Sequence, residues 1–133
     1  MTRETSKSFR VGLIGCGRIS DIYLKTLSKF SNVEVVACAS LDPSECRARA
    51  DQYGIAKACT PDEVFADPTI DCVLNLTIPA AHAEISLRAL EAGKHVYSEK
   101  PLVMNRTDGK AILHMASEKG LLVGCAPDTF LGG

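Results

Sequence analysis

Four short segments of this chain are almost continuously apolar: "FRVGLIG" from Phe9, "VEVVACA" from Val33, "DCVLNLT" from Asp71 and "LLVGCA" from Leu121. Strands covered on one face alternate apolar and polar residues, whereas strands covered on both faces need no polar position. Such strands belong to parallel sheets, and parallel neighbours need a crossover, usually a helix. The chain supplies one each time. Arg18 to Phe30 has Ile19, Ile22, Tyr23, Leu27 and Phe30 at helical spacing, with Asn32 ending the run. Asp42-Pro43 opens a second helix that Gly54 closes, and Thr60-Pro61-Asp62-Glu63 opens a third. Pro79 to Ala92 precedes Gly93, and Asn105 to Lys119 precedes Gly120. Two shorter strands, "AKAC" and "HVYSE", complete the alternation. The expected fold is α/β, a doubly wound Rossmann sheet of six mainly parallel strands in the order 3-2-1-4-5-6, in three layers, α/β/α.

Where the first strand ends, the chain reads Gly15-Cys16-Gly17-Arg18-Ile19-Ser20. Glycines spaced this way let the chain turn tightly and let a ligand touch backbone. The free N–H groups of the following helix start, with the positive end of its dipole, form a site for phosphate or pyrophosphate. The dinucleotide fingerprint is G-x-G-x-x-G/A. Ser20 takes the third position, and serine is small enough for close helix–strand packing.

At 133 residues, 46% of them hydrophobic, the chain is expected to be one domain with its own core, residues 9–133, after a flexible terminus at 1–8. A net charge of −1 gives no electrostatic footprint for nucleic acid or an anionic membrane. No apolar run reaches the length of a membrane span, and "MTRETSKSF" has no secretory apolar region. The six cysteines show no C-x-x-C spacing and no zinc-like Cys/His pattern, so no metal is expected; reduced thiols fit a cytoplasmic protein.

Ligands of such sheets sit beyond the carboxyl ends of the strands, near the switch point between strands one and four. After strand two, an acidic residue commonly accepts from the adenosine ribose of NAD, and its absence admits the 2′-phosphate of NADP. Ser40 holds that place here, and Asp42, two residues on, also explains itself as a helix cap. Either could meet the ribose, and Arg47 could serve NADP. "GKHVYSEKPL" delivers a carboxylate, Glu99, and an ammonium, Lys100, to the same crevice, with Pro101 following. His82, early in the helix after strand four, either contacts ligand or packs.

The stretches "VGLIGCGRIS" and "LTIPAAHAEISLRALEAGKHVYSEKPL", at their separation, resemble the N-terminal domain of the glucose–fructose oxidoreductase/inositol dehydrogenase (Gfo/Idh/MocA) family, from about Phe9 to Val123. The resemblance implies NAD or NADP bound by Gly15, Cys16, Gly17, Arg18 and Ile19, with the adenosine ribose at Ser40 or Asp42. It implies that Thr77, Ile78 and Pro79 lie along the cofactor and that His82 matches a typical histidine of that helix. Glu99 would bind the nicotinamide ribose and Lys100 would be the catalytic lysine facing substrate; the Lys100–Pro101 bond is commonly cis in the family. The implied activity is hydride transfer to or from a sugar, inositol or related polyol, in an enzyme expected to be a homo-oligomer. The chain departs from the family at Ser40, at Ile78 and at "CAPDTF", where many members read Asn-x-Arg-Phe. Similar enzymes continue into a second domain that shapes the substrate pocket, so this chain is expected to be the cofactor domain of a longer enzyme and inactive alone. The rival expectations are a stand-alone nucleotide-binding or sensing module without catalysis, and a fold of this kind for S-adenosylmethionine.

Overall fold

In the computed structural model, residues 7–127 are described, so Asp128 and the rest of "DTFLGG" lie outside the described residues. The elements run β1 (Phe9–Ile14), α1 (Ser20–Leu27), β2 (Val33–Ala39), α2 (Pro43–Tyr53), β3 (Lys57–Cys59), α3 (Pro61–Ala66), β4 (Cys72–Asn75), α4 (His82–Glu91), β5 (His95–Glu99), α5 (Arg106–Lys119) and β6 (Val123–Ala126). The strands form one sheet in the order β3-β2-β1-β4-β5-β6, with every pairing parallel. This is the doubly wound arrangement the alternation calls for, and it sets β1 and β4 side by side at the switch point.

The core lies in two layers, one on each face of the sheet. Val11, Leu13, Cys38, Cys72 and Leu74 face α1 and α2, where Leu24, Cys46 and Ala50 meet them. Ile14, Ala37, Val73 and Val96 face the other way, against Val64 and Phe65 of α3, Ile85 and Leu90 of α4 and Ile112 of α5. Each inner strand thus sends alternate side chains into two separate cores, which is why its sequence has no polar face. Gly12 makes room for this: a Cβ there would stand 2.7 Å from Val64 Cγ1 and 2.9 Å from Ile70 Cδ1, so α3 packs directly on the β1 backbone.

The caps follow the local sequence. Asp42 accepts from the N–H groups of Ser44 and Glu45, Thr60 and Glu63 form a capping box, and Asn105 accepts from the Asp108 N–H. Gly54 and Gly120 close α2 and α5 in the left-handed conformation.

Three expectations are corrected. The first helix is shorter than Arg18 to Phe30: the segment before Ser20 remains a turn, and Ile19, Ile22 and Phe30 are exposed while Leu24 is the buried anchor. The helix expected from Pro79 begins as a 3₁₀ turn, Pro79–Ala81, and becomes α-helical at His82. β6 is apolar but only half-buried along its whole length, because it is the edge of the sheet and has a neighbour on one side alone.

Candidate dinucleotide site

Because all strands are parallel, the segments after β1, β2, β4 and β5 leave the sheet at one edge. Between them lies a cleft of about 670 Å³ whose walls include Gly15, Cys16, Gly17, Ser40, Asp42, Thr77 and Ile78.

The two glycines of the turn do different work. Gly15 has φ +106°, and a Cβ on it would stand 2.4 Å from the Leu76 carbonyl oxygen. It is needed by the fold itself, where the turn presses on the chain leaving β4. A Cβ on Gly17 would meet nothing within 4 Å. The fold leaves that space open at the wall of the cleft, which is where a ligand backbone approach needs it. Ser20 is fully buried and its hydroxyl donates to the Gly17 carbonyl at 2.6 Å, so the third fingerprint position closes the turn through its own side chain. Among the described residues, the N–H groups of Gly17, Arg18 and Ile19 have no protein acceptor, and no side chain caps α1. Open N–H groups beside an open glycine at a helix start fit the pyrophosphate of a dinucleotide. Arg18 and Ile19 lie on the outer side of the turn, exposed beside Asp21 and Arg49.

At the end of β2, Asp42 is engaged as a cap: one carboxylate oxygen accepts from the Ser44 N–H at 2.8 Å and the Ser44 hydroxyl at 2.6 Å. These bonds, the hydroxyl's first, hold its carboxyl below the usual range. Ser40 turns to Glu45 instead, donating its hydroxyl at 2.9 Å. Glu45 lines the same cleft, as does Arg88, whose guanidinium is paired with Asp62 at 2.5 Å and lies 4.4 Å from the Phe65 ring centre. Arg47 is exposed on α2 and does not line the cleft.

Beyond β4 a buried polar network fixes the loop. Asn75, fully buried at the strand end, donates to the His82 carbonyl at 3.0 Å and to Ser86 Oγ at 3.1 Å. Its carbonyl oxygen accepts the Thr77 hydroxyl at 2.7 Å. The His82 ring, 1% exposed, sets Nε2 2.8 Å from the Thr77 carbonyl oxygen and Nδ1 2.5 Å from that of Pro101. The ring stands between two backbone carbonyls, which of them receives its N–H depending on the tautomer, and so His82 lies between the loop of Thr77, Ile78 and Pro79 and the segment after β5. Ile78 and Pro79 stand exposed on that loop.

At the end of β5, Glu99 accepts the Tyr23 hydroxyl from α1 and the Lys100 N–H at 3.1 Å. Burial, then the bond to Glu99, pushes the Tyr23 phenol far up. Lys100 is exposed, and its bond to Pro101 is cis. Neither Glu99 nor Lys100 lines the main cleft; both lie further along the same edge.

Sequence reasoning did not single out Asn75, Tyr23 or Glu45. An amide inside the apolar run "CVLNLT" was the available signal for Asn75, since a buried amide must be hydrogen-bonded. Tyr23 and Glu99 are 76 residues apart, and no local pattern links them.

The turn, the cleft and the strand order define a dinucleotide-binding α/β domain. The chain belongs to the Gfo/Idh/MocA oxidoreductase family, with an NAD-binding Rossmann fold, whose profile matches residues 9–126. It is 35% identical over 116 residues to a 1,5-anhydro-D-fructose reductase of Ensifer adhaerens, covering 86% of this chain and 35% of that protein. It is 33% identical over 100 residues to a myo-inositol 2-dehydrogenase of Thermotoga maritima, covering 74% of this chain and 30% of that protein. Among solved structures, a biliverdin reductase from Synechocystis in complex with biliverdin and NADP+ superposes with a TM-score of 0.87 at 31% identity, covering 94% of this chain and 40% of the other. The chain therefore spans about a third of the length of the curated relatives it matches. No helix among the described residues is long and apolar enough to cross a membrane.

Proposed function

We propose that this chain is the cofactor-binding part of an NAD(P)-dependent oxidoreductase that transfers hydride to or from a sugar, inositol or related polyol. The observation that carries the reading is the open space at Gly17 on the wall of the cleft, beyond the carboxyl ends of the parallel strands, the edge at which β5 also ends in Glu99. The amides after Gly15 hold the pyrophosphate, Ser40 and its neighbours meet the adenosine ribose, and Thr77 to Pro79 lie along the cofactor. Glu99 accepts from the nicotinamide ribose, with Tyr23 fixing the carboxylate. When bound, the cofactor supplies the hydride acceptor or donor. Lys100 orients or polarises the substrate oxygen, and the remaining proton carrier belongs to the two thirds of the relatives' length that this chain does not span. Relatives named for sugars and an inositol support the polyol class, and the six free thiols suit a reducing, cytoplasmic setting; the whole enzyme is a homo-oligomer in this reading.

Calorimetric titration with NADH and NADPH tests the reading. One saturable site, lost in Gly17→Val with the circular dichroism spectrum unchanged, is expected. Absence of saturable binding to either nucleotide overturns it.

A further inference from the structure

Directly beneath the glycine turn, three thiols that lie far apart in sequence come together. Cys16 belongs to the turn, Cys38 to β2 and Cys46 to α2. Their sulfur atoms all lie within 4.8 Å of one another, with Cys38 Sγ 3.6 Å from Cys46 Sγ. The three residues are 1%, 0% and 2% exposed, and Cys16 forms part of the cleft wall, which gives the cluster its route to solvent.

We propose that Cys16, Cys38 and Cys46 form a three-sulfur binding site for a soft monovalent cation, copper(I), under the pyrophosphate turn. A cation held by three sulfurs at about 2.3 Å in one plane spaces them about 4 Å apart. The thiols therefore need to move by only a fraction of an ångström to about one ångström. An all-sulfur donor set selects soft cations and is a poor host for magnesium or calcium. Zinc asks for four ligands. Among the described residues no fourth side-chain ligand joins the group: the Cys59 thiol points to the Cys38 carbonyl at 3.7 Å. Three-coordinate copper(I) needs none.

Burial pushes the Cys46 thiol up, and the Cys16 thiol together with burial does the same to Cys38. The thiols rest on carbonyl oxygens, Cys16 on Ala39 at 3.4 Å and Cys46 on Cys38 at 3.0 Å. On loading, three S–H bonds break, three S–Cu bonds form, three protons leave to solvent and no electron moves. Three thiolates and one monovalent cation leave a net charge of −2 under the turn. Arg49, which donates to the Cys16 and Gly17 carbonyls at 3.4 and 3.5 Å, offsets part of it. Loading therefore weakens binding of an anionic dinucleotide; this consequence alone rests on the function proposed above.

The test is an oxygen-free titration of the chain with copper(I) against a chelating indicator, with X-ray absorption at the copper edge. One equivalent held by three sulfurs at about 2.3 Å is expected. Affinity should drop at least ~100-fold in Cys38→Ala and Cys46→Ala, both checked for folding, and stay unchanged in Cys72→Ala and Cys125→Ala. A second titration with NADH should show its Kd rising about tenfold on loading. Retention of copper by Cys38→Ala and Cys46→Ala, nitrogen or oxygen neighbours at the metal, or tighter binding of zinc through the same cysteines overturns the proposal. Copper bound as expected by a chain that ignores NADH leaves the site standing and removes the function proposed above.

Discussion

The imidazole of His82 joins two segments that the sheet alone leaves separate, with Nδ1 2.5 Å from the Pro101 carbonyl oxygen and Nε2 2.8 Å from that of Thr77. A buried carbonyl without a partner is destabilising, and a truncated side chain leaves a cavity. His82→Ala should lower the free energy of unfolding by about 2–4 kcal/mol. It should also weaken NADH binding about tenfold, because the loop of Thr77 and the segment of Lys100 lose their common anchor. Urea unfolding and calorimetry check the two effects. A variant with unchanged stability would show that the histidine packs without supporting the loops.

The two glycines of the turn should separate fold from ligand. Gly15→Ala puts a Cβ 2.4 Å from the Leu76 carbonyl at a positive φ, so the left-handed backbone and the overlap together cost on the order of 3 kcal/mol or more. Gly17→Val meets open space, so its melting temperature should stay near that of the parent while its NADH affinity falls at least ~100-fold. Thermal melts and titration of both variants decide it; equal loss of stability in the two would remove the distinction.

What the sequence made legible was local or periodic. Asp42, the Thr60–Glu63 box and Asn105 announce helix starts because each cap is closed within three residues. The strand order follows from βαβ alternation and handedness. The face of α1 was misread because a period anchored on Ile19 places Ile22 and Phe30 inward, whereas Leu24 sits in the core and the helix ends at Leu27. The half-buried state of β6 is a property of its position at the edge, which its apolar residues do not reveal. At the site, the glycine turn and Glu99-Lys100-Pro101 stand in the sequence as motifs. The Tyr23–Glu99 bond and the meeting of Cys16 with Cys38 and Cys46 arise only once the sheet is assembled and α1 and α2 are packed on it.

Acid should destabilise the domain through carboxylates that the fold holds ionised. Asp67 accepts the Thr69 hydroxyl and N–H and pairs with Lys57 at 3.2 Å; these, the hydroxyl first, lower its pKa from 3.8 to about 2. Because the folded value lies below the unfolded one, the stabilisation is complete above about pH 4 and is lost as pH falls from there towards 2. Asp21, Asp42 and Glu63 are lowered too and act in the same sense. Urea midpoints at pH 3 and pH 6 should differ less in Asp67→Asn than in the parent. An identical acid loss in both would show that Asp67 contributes none of it.

Coenzyme choice should rest on Glu45 through Ser40. The acid usual after β2 is missing, and Asp42 is engaged by Ser44, yet the Ser40 hydroxyl donates to Glu45 at 2.9 Å on the wall of the cleft. A carboxylate there accepts from a ribose hydroxyl and repels a 2′-phosphate. Glu45 is exposed, so solvent screens the repulsion and limits it to about 1 kcal/mol, or roughly fivefold. NADH should therefore bind more tightly than NADPH, and Glu45→Gln should narrow the gap by about that factor, mainly by strengthening NADPH. Paired titrations at low and moderate salt read it directly, since a charge effect shrinks with salt and a steric one does not. A preference for NADPH in the parent, unchanged in Glu45→Gln, would mean that Ser40 binds the 2′-phosphate and that Arg88, freed from Asp62, supplies the countercharge.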